Sequence, residues 1–91
     1  MIRQTVLVEN KLGLHARAAA KLVRLASRFA SEIYLSREEA LQQIDSKSIL
    51  GVLMLGASEG TRLVITIDGP DEFEAGEAIG RFFKEKFGEE N

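Results

Sequence analysis

The residues of this chain that could do chemistry are a histidine and an arginine placed two positions apart. His15 is the only histidine, and it follows Gly13 at the start of a run, ARAAAKLV, that is typical of a helix. The first N–H groups of a helix lack intrahelical acceptors and carry partial positive charge, so an anion can bind there. A neutral imidazole is a nucleophile, and Arg17 would reach the same anion. The spacing favours phosphoryl transfer at an exposed His15, with a simple polar helix cap as the alternative.

The composition excludes several other kinds of chemistry. With no cysteine there is neither a disulfide nor a thiolate nucleophile, and one histidine cannot supply a zinc cluster. We therefore expect no metal and no cofactor. The chain starts with the polar MIRQTVLVEN, unlike a signal peptide, and no apolar stretch approaches the length of a membrane span. We expect a cytoplasmic protein that does not insert into membranes.

The charge of the chain is divided between its two ends, although the net charge is only −2. Residues 1–30 carry six basic side chains against one acidic side chain, and residues 68–91 carry eight acidic against three basic ones. Four of the basic residues recur at helical spacing: Arg17, Lys21, Arg24 and Arg28. This basic stripe suits an acidic partner surface, with an ordinary solvated helix face as the alternative.

The hydrophobic pattern predicts seven elements in the order β-α-β-β-α-β-α. Alternation indicates strands, and apolar residues at a spacing of three or four indicate helices. The strands are expected at residues 2–9, 32–36, 41–45 and 61–68, and the helices at 16–30, between Ser48 and Gly56, and from Asp71 to about Phe87.

The last helix has the clearest start and stop signals. Asp71 is a natural N-cap with Glu74 three residues later in the capping-box position, and Gly88 ends the helix. Its buried residues should be Phe73, Ile79, Phe82 or Phe83, and Phe87. Because each strand has one apolar face, we predict an α+β open-faced β-sandwich: a single domain, 1–91, with a four-stranded antiparallel sheet and three helices on one face.

Three segments of the sequence resemble a known family. NKLGLHARAAAKLV, DSKSILGVLMLGASEGTRLVI and the acidic DGPDEFEA occur in order along nearly the whole chain. They resemble the HPr family of phosphocarrier proteins of the bacterial phosphotransferase system, in its sugar-transport (HPr) or nitrogen-related (NPr) branch. Gly-Leu-His-Ala-Arg is the most specific part of this match.

The resemblance implies a function for the histidine and its neighbours. Enzyme I would transfer a phosphoryl group from phosphoenolpyruvate to Nδ1 (the pros nitrogen) of His15, which would pass it to a histidine of an enzyme IIA-type acceptor. Arg17 and the backbone N–H groups of Ala16, Arg17 and Ala18 would stabilise the phosphoryl oxygens. Ala18 departs from the proline that is common at this position, and its N–H is an additional donor. Because of this departure, the sequence does not decide between the HPr and the NPr branch of the family.

Further residues acquire roles only through the resemblance. Ser48 matches a serine that HPr kinase/phosphorylase modifies in part of the family, and its simple role as an N-cap is the alternative. Leu50 and Leu53 match an apolar docking patch, which Lys21 and Arg24 would flank, whereas Leu55 is expected in the core.

Two alternative functions involve binding without phosphoryl transfer: a regulatory binding protein and an RNA-binding domain. A protein of the same fold could act as a regulatory binder that controls enzymes or transcription factors according to its phosphorylation state. Small RNA-binding domains share the element order, but they stack bases on sheet aromatics, and Tyr34 is the only aromatic residue on a predicted strand. We therefore expect no nucleic acid partner, and we expect a monomer.

Overall fold

The order of the elements confirms the sequence prediction. The computed structural model describes residues 1–89 as follows: β1 (Ile2–Leu7), α1 (Ala16–Ala26), β2 (Glu32–Arg37), β3 (Ile44–Asp45), α2 (Ile49–Met54), β4 (Arg62–Asp68), α3 (Glu72–Lys84) and a short turn at Lys86–Gly88.

The four strands form one antiparallel sheet in the order β1-β4-β2-β3. Strand β4 lies at its centre, with Ile67 opposite both Ile2 of β1 and Ile33 of β2. The inward side chains of the strands pack against the helices and form one core. This is the predicted open-faced sandwich, because alternation leaves one apolar face per strand and the helices cover that face. The core includes Val6, Ile33, Leu35, Leu63, Ile65, Ile67, Leu22, Ile79 and Phe83.

Helix α1 ends earlier than its apolar pattern predicts. The helix stops at Ala26 rather than near residue 30. The backbone beyond it is held by distant side chains: the N–H groups of Ala30 and Ser31 donate to Asp71, and Lys47 Nζ donates to the carbonyl of Phe29 at 2.8 Å. These tertiary hydrogen bonds replace the helical ones that the local sequence would allow.

The predicted third strand is mostly a loop. Only Ile44 and Asp45 pair with β2, and Leu41, which was expected to open the strand, is fully exposed. The hairpin itself is confirmed, because Tyr34 lies opposite Asp45 and Leu35 opposite Ile44. The strand is short because residues 38–43 form a turn and a loop that do not pair in the sheet.

The start of α3 is correctly placed and Asp71 is its N-cap residue, but the predicted side-chain capping bonds are absent. The side chain of Asp71 makes no bond within α3 and instead accepts from Ser31 Oγ at 2.5 Å and from the N–H groups at residues 30 and 31. Glu72, rather than Glu74, reaches back to accept from the N–H of Gly69. Phe73, predicted to be buried, is 74% exposed. Asp71 therefore ties the end of α1 to the start of α3.

The C-terminal end of α3 differs most from the prediction. The helix ends at Lys84 instead of near Phe87, and the chain then turns through positive φ at Lys86 (58°), Phe87 (58°) and Gly88 (73°). A left-handed backbone is unfavourable for a residue with a Cβ atom. The burial of Phe87 offsets this, because its ring packs edge-on against Phe83 and Phe82 at 4.9 and 5.5 Å between centroids.

Candidate functional site

The loop before α1 is held in one conformation by a glycine and a buried asparagine. Gly13 has a φ of 66°, and a Cβ atom at this position would lie 2.5 Å from the carbonyl oxygen of Ala57. Asn10 is completely buried and donates from Nδ2 to the carbonyl of Gly13 at 2.8 Å. The N–H of Leu14 donates to Ala57 at 2.9 Å. The residue that precedes α1 is therefore presented by a fixed loop.

His15 is that residue, and its ring caps α1. Its Nδ1 atom accepts from the backbone N–H of Arg17 at 3.3 Å, and its carbonyl accepts the first helical bond, from Ala19, at 2.8 Å. An accepting nitrogen has a free lone pair, so the neutral ring carries its proton on Nε2. The nucleophilic nitrogen is thus the one that faces the helix N-terminus. The side chain is 23% exposed, less than we expected from the sequence.

The first turn of α1 presents backbone donors beside this nitrogen. Ala16, Arg17 and Ala18 are the first three helical residues, whose N–H groups have no intrahelical acceptor. Ala18 is also completely buried, so its methyl group packs in the core while its N–H remains at the helix start. In the free protein the N–H of Arg17 is used by the imidazole. A bond from Nδ1 to phosphorus would release that N–H for a phosphoryl oxygen.

The side chain of Arg17 is paired with a glutamate from the C-terminal tail. Arg17 Nε donates to both carboxylate oxygens of Glu89, at 3.2 and 3.1 Å, and Nη2 donates to Oε1 as well. The same Oε1 lies 3.7 Å from Nε2 of His15, too far for a hydrogen bond. Nε2 is buried and has no hydrogen-bond partner among residues 1–89. The tail carboxylate therefore lies next to the Nε2 edge of the imidazole.

Lys21 contacts the same carboxylate. Its Nζ atom lies 2.8 Å from Oε2 of Glu89 and 3.3 Å from the carbonyl oxygen of Phe87. Hydrogen bonds from Arg17 and Lys21 lower the pKa of Glu89 from 4.5 to about 2. The carboxylate is thus ionised at neutral pH and shared between two cations. The sequence predicted Lys21 as a docking residue, and the structure brings it into the cluster around His15.

Glu89 is a site residue that sequence reasoning missed. It was counted only among the acidic residues of the C-terminal end, and 72 positions separate it from Arg17. The one local signal is Phe87-Gly88, a large apolar residue before a glycine that can adopt positive φ. Even that signal predicts only that the chain turns. It does not predict which part of the domain the residues after the turn contact. Glu89 reaches the site because Phe87 is buried beside α3.

Helix α2 carries the predicted apolar patch and the serine. Leu50 is 70% exposed, Leu53 is partly exposed, and Leu55 is buried as expected. Ser48 is the N-cap of α2, with its Oγ accepting from the N–H of Gly51 at 3.2 Å. The cap is therefore confirmed, whereas the modification of Ser48 stays a prediction. Helices α1 and α2 pack against each other, so this patch lies on the helix next to α1.

Arg24 and Arg28 make no bond to the carboxylate of Glu89, which is held by Arg17 and Lys21. Both residues are exposed and line a shallow groove with Lys21, Leu25 and Phe82. The basic stripe is therefore split into two parts: Arg17 and Lys21 hold the tail carboxylate, whereas Arg24 and Arg28 face solvent. Only this second part fits the prediction of a free basic docking surface.

Residues 1–89 contain neither a metal-binding cluster nor a membrane-spanning helix. No group of three or more histidine or acidic side chains there is placed to hold a metal ion. No helix in this range is both long and apolar enough to cross a membrane.

Comparisons with known proteins agree on one family. The family model "PTS HPr component phosphorylation site" matches residues 2–85. "Phosphocarrier protein HPr" of Cupriavidus necator is 46% identical over 89 residues, which cover 98% of each chain. The crystal structure of HPr-C-His from Thermoanaerobacter tengcongensis superposes with a TM-score of 0.92 at 40% identity, covering 100% of both chains. An HPr dimer from the same organism gives 0.75 at 39% identity, covering 98% of this chain and 100% of that one.

Proposed function

Because this chain belongs to the HPr family of phosphocarrier proteins of the phosphotransferase system, we propose that His15 accepts a phosphoryl group from enzyme I and passes it to a histidine of an enzyme IIA-type acceptor. The observation that carries the proposal is the orientation of the imidazole. Its unprotonated Nδ1 points at the N-terminus of α1, where the first backbone N–H groups of the helix are available as donors.

The transfer needs no metal, because the chain itself supplies positive groups for the phosphoryl oxygens. In the forward step the lone pair of Nδ1 forms the bond to phosphorus while the bond to the donor atom of enzyme I breaks. Negative charge on the three phosphoryl oxygens is stabilised by the N–H groups of Ala16, Arg17 and Ala18 and by the Arg17 guanidinium. In the second step the nitrogen–phosphorus bond breaks as the acceptor histidine attacks, and the Nδ1 lone pair is restored.

Docking of both partners would use the surface beside the histidine. Leu50 and Leu53 of α2 are exposed apolar residues, and Arg24 of α1 is an exposed cation on the neighbouring helix. An apolar centre with a charged rim is the usual arrangement of a protein–protein interface. The proposed partners are enzyme I and the enzyme IIA-type protein in the cytoplasm, with HPr kinase/phosphorylase acting at Ser48. We retain the monomer as the proposed state, although some related structures are described as dimers.

A single experiment tests the central proposal. The purified protein is incubated with enzyme I and labelled phosphoenolpyruvate, and the acid-labile label is located on the chain. We expect one phosphoryl group on His15 of the wild-type protein and none on His15→Ala. Label elsewhere, or label that persists in the variant, would assign the acceptor role to another residue. Chase with an enzyme IIA protein should remove the label.

A further inference from the structure

The apolar docking residues lie on a helix that has few means of fixing its own position. Helix α2 is six residues long, and an isolated helix of this length is not stable in water. Among its side chains only that of Val52 is buried, whereas Leu50, Leu53 and Met54 are exposed. The orientation of the docking residues therefore depends on contacts between α2 and the rest of the domain.

The N-terminal half of α2 is held by β3 and by the turn that follows it. Ser48 caps the helix, and its own N–H donates to the carbonyl of Asp45 at 3.0 Å. Gly51 packs so closely on Ile44 that a Cβ atom at this position would overlap the Cγ2 atom of the isoleucine. The start of the helix is thus tied to the strand that precedes it.

The C-terminal end of α2 is held by Arg37, the last residue of β2. Its Nη2 atom donates to the carbonyl of Leu55 at 2.8 Å and to that of Gly56 at 3.0 Å. Carbonyl groups at the end of a helix lack intrahelical donors, and no backbone N–H among residues 1–89 donates to either of these two. A cation is also favourable at the C-terminal end of the helix dipole. Arg37 therefore supplies bonds that α2 cannot make by itself.

We propose that Arg37 is a positioning residue for docking. Through the carbonyls of Leu55 and Gly56 it holds the last turn of α2, and with it Leu53, in the orientation that partner proteins bind. This inference rests on the proposed function, because it gives Arg37 a role in the affinity for enzyme I and for the enzyme IIA-type acceptor. The role concerns binding and not phosphoryl transfer, since the hydrogen bonds of Arg37 go to α2 and not to His15.

A direct contact between Arg37 and an acidic partner is the alternative role, which the geometry disfavours. Nη2 is already shared by two carbonyl groups of its own chain. A carboxylate of a partner is best bound by two guanidinium nitrogens together. The two roles differ in their dependence on salt, because an exposed ionic contact is screened and the position of a helix is not.

Arg62 offers a matched control for substitution of Arg37. It begins β4, the strand that pairs with β2, and Arg37 lies opposite its neighbour Leu63. The Arg62 side chain is 66% exposed and lies 3.9 Å from a carboxylate oxygen of Glu38, too far for a hydrogen bond. Arg62→Gln therefore removes the same charge at the same end of the sheet without removing a bond to α2.

The first test measures amide hydrogen exchange by NMR and needs no partner protein. The N–H groups of Leu55 and Gly56 donate to carbonyls in the last turn of α2, so their exchange reports the opening of that turn. Arg37→Gln should increase both exchange rates about tenfold or more, because two bonds from a charged donor are lost. Arg62→Gln should leave both rates unchanged. Wild-type exchange rates in Arg37→Gln would overturn the proposal.

The second test measures enzyme I-dependent phosphorylation at a temperature at which all variants are folded, with this protein as the varied substrate. Arg37→Gln should raise KM about threefold or more without changing kcat, because a binding-competent orientation that is populated only part of the time weakens the apparent affinity by that fraction. The ratio of variant KM to wild-type KM should be the same at low and at high salt, and Arg62→Gln should give the wild-type KM.

Two results of the second test would overturn the proposal. An unchanged KM for Arg37→Gln, even with a lower melting temperature, would show that Arg37 contributes only to stability. A KM ratio that falls as salt is raised would show a direct ionic contact with the partner. Arg37→Lys, which keeps a cationic donor, should recover part of the loss in both tests.

Failure of the proposed function would give a different result. If enzyme I phosphorylates neither the wild-type protein nor the variants, the proposed function fails and the docking role of Arg37 fails with it. Hydrogen exchange would then still decide whether Arg37 holds the end of α2. If enzyme I phosphorylates the wild-type protein and Arg37→Gln with equal KM, only the role of Arg37 is overturned.

Discussion

The guanidinium of Arg17 and the carboxylate of Glu89 are bonded through Nε at 3.1 and 3.2 Å, although 72 positions separate them in the chain. The family resemblance implies that Arg17 stabilises the oxygens of the phosphoryl group. In the unphosphorylated protein it is already paired with an anion of its own chain. The predictions below follow from this contact and from the cap formed by His15.

Replacement of His15 separates its chemical role from its structural one. His15→Ala loses both the acceptor nitrogen and the cap on the N–H of Arg17, whereas His15→Asn keeps a side-chain acceptor at the N-cap. Both variants should accept no phosphoryl group from enzyme I. Thermal unfolding should show His15→Ala less stable by about 1 kcal/mol and His15→Asn close to wild type. A phosphorylated variant of either kind would contradict the assignment of His15.

Arg17→Ala should slow phosphoryl transfer without abolishing it. The backbone donors of α1 remain, but loss of one charged donor to the transferring group costs on the order of 100-fold in rate. Rapid-quench measurements in both directions would give the rate of gain from enzyme I and the rate of loss to the acceptor. Unchanged rates in both directions would remove Arg17 from the mechanism. Arg28→Ala, an exposed residue of the same stripe, is the control.

The contact between Glu89 and its cations should persist to strongly acidic pH. The folded pKa of Glu89 is lowered to about 2, below its ordinary value of 4.5, so its contribution to stability is complete above about 4.5 and is lost as the pH falls towards 2. The difference in melting temperature between wild type and Glu89→Gln should be constant from pH 7 to 5 and should shrink below that. A difference in melting temperature that grows as the pH falls would contradict the predicted loss of this contribution.

Phe87→Ala should destabilise the domain and release the tail. Truncation of a fully buried phenylalanine costs about 3 to 5 kcal/mol, and the new cavity removes the packing that directs Glu89 to Arg17. Denaturant unfolding gives the stability, and the Arg17 Nε–H signal reports the tail. Phe73→Ala, in the first turn of α3, is the control, because its ring is exposed, and it should change neither measurement. An unchanged Arg17 signal in Phe87→Ala would show that packing does not position the tail.

Negative charge at Ser48 should impair docking more than folding. Ser48→Asp keeps an N-cap acceptor, and an anion is favourable at a helix start, so the melting temperature should change little. The new charge lies beside the exposed Leu50 and would repel an acidic partner surface. Titration against enzyme I should show weaker binding at low salt and a smaller loss at high salt. Wild-type affinity at low salt would place Ser48 outside the docking surface.

The sequence by itself determined the element order, the fold class and the placement of His15 at the start of α1. These features depend on local patterns: alternation in the strands, apolar spacing in the helices, and Gly13 before the cap. The same kind of local signal predicted Ser48 as the N-cap of α2 and Leu55 as a core residue. Local patterns suffice there because neighbouring residues supply the decisive contacts.

Only the tertiary structure decided the ends of the elements and the composition of the site. Asp71 looks like a cap in sequence, yet it bonds to Ser31 because the end of α1 packs beside α3. Glu89 looks like one of several solvent-exposed acids, yet the buried ring of Phe87 brings it onto Arg17. Both partnerships join residues 40 or more positions apart, and no local pattern encodes them. They form because packing of the whole domain fixes which charged groups meet.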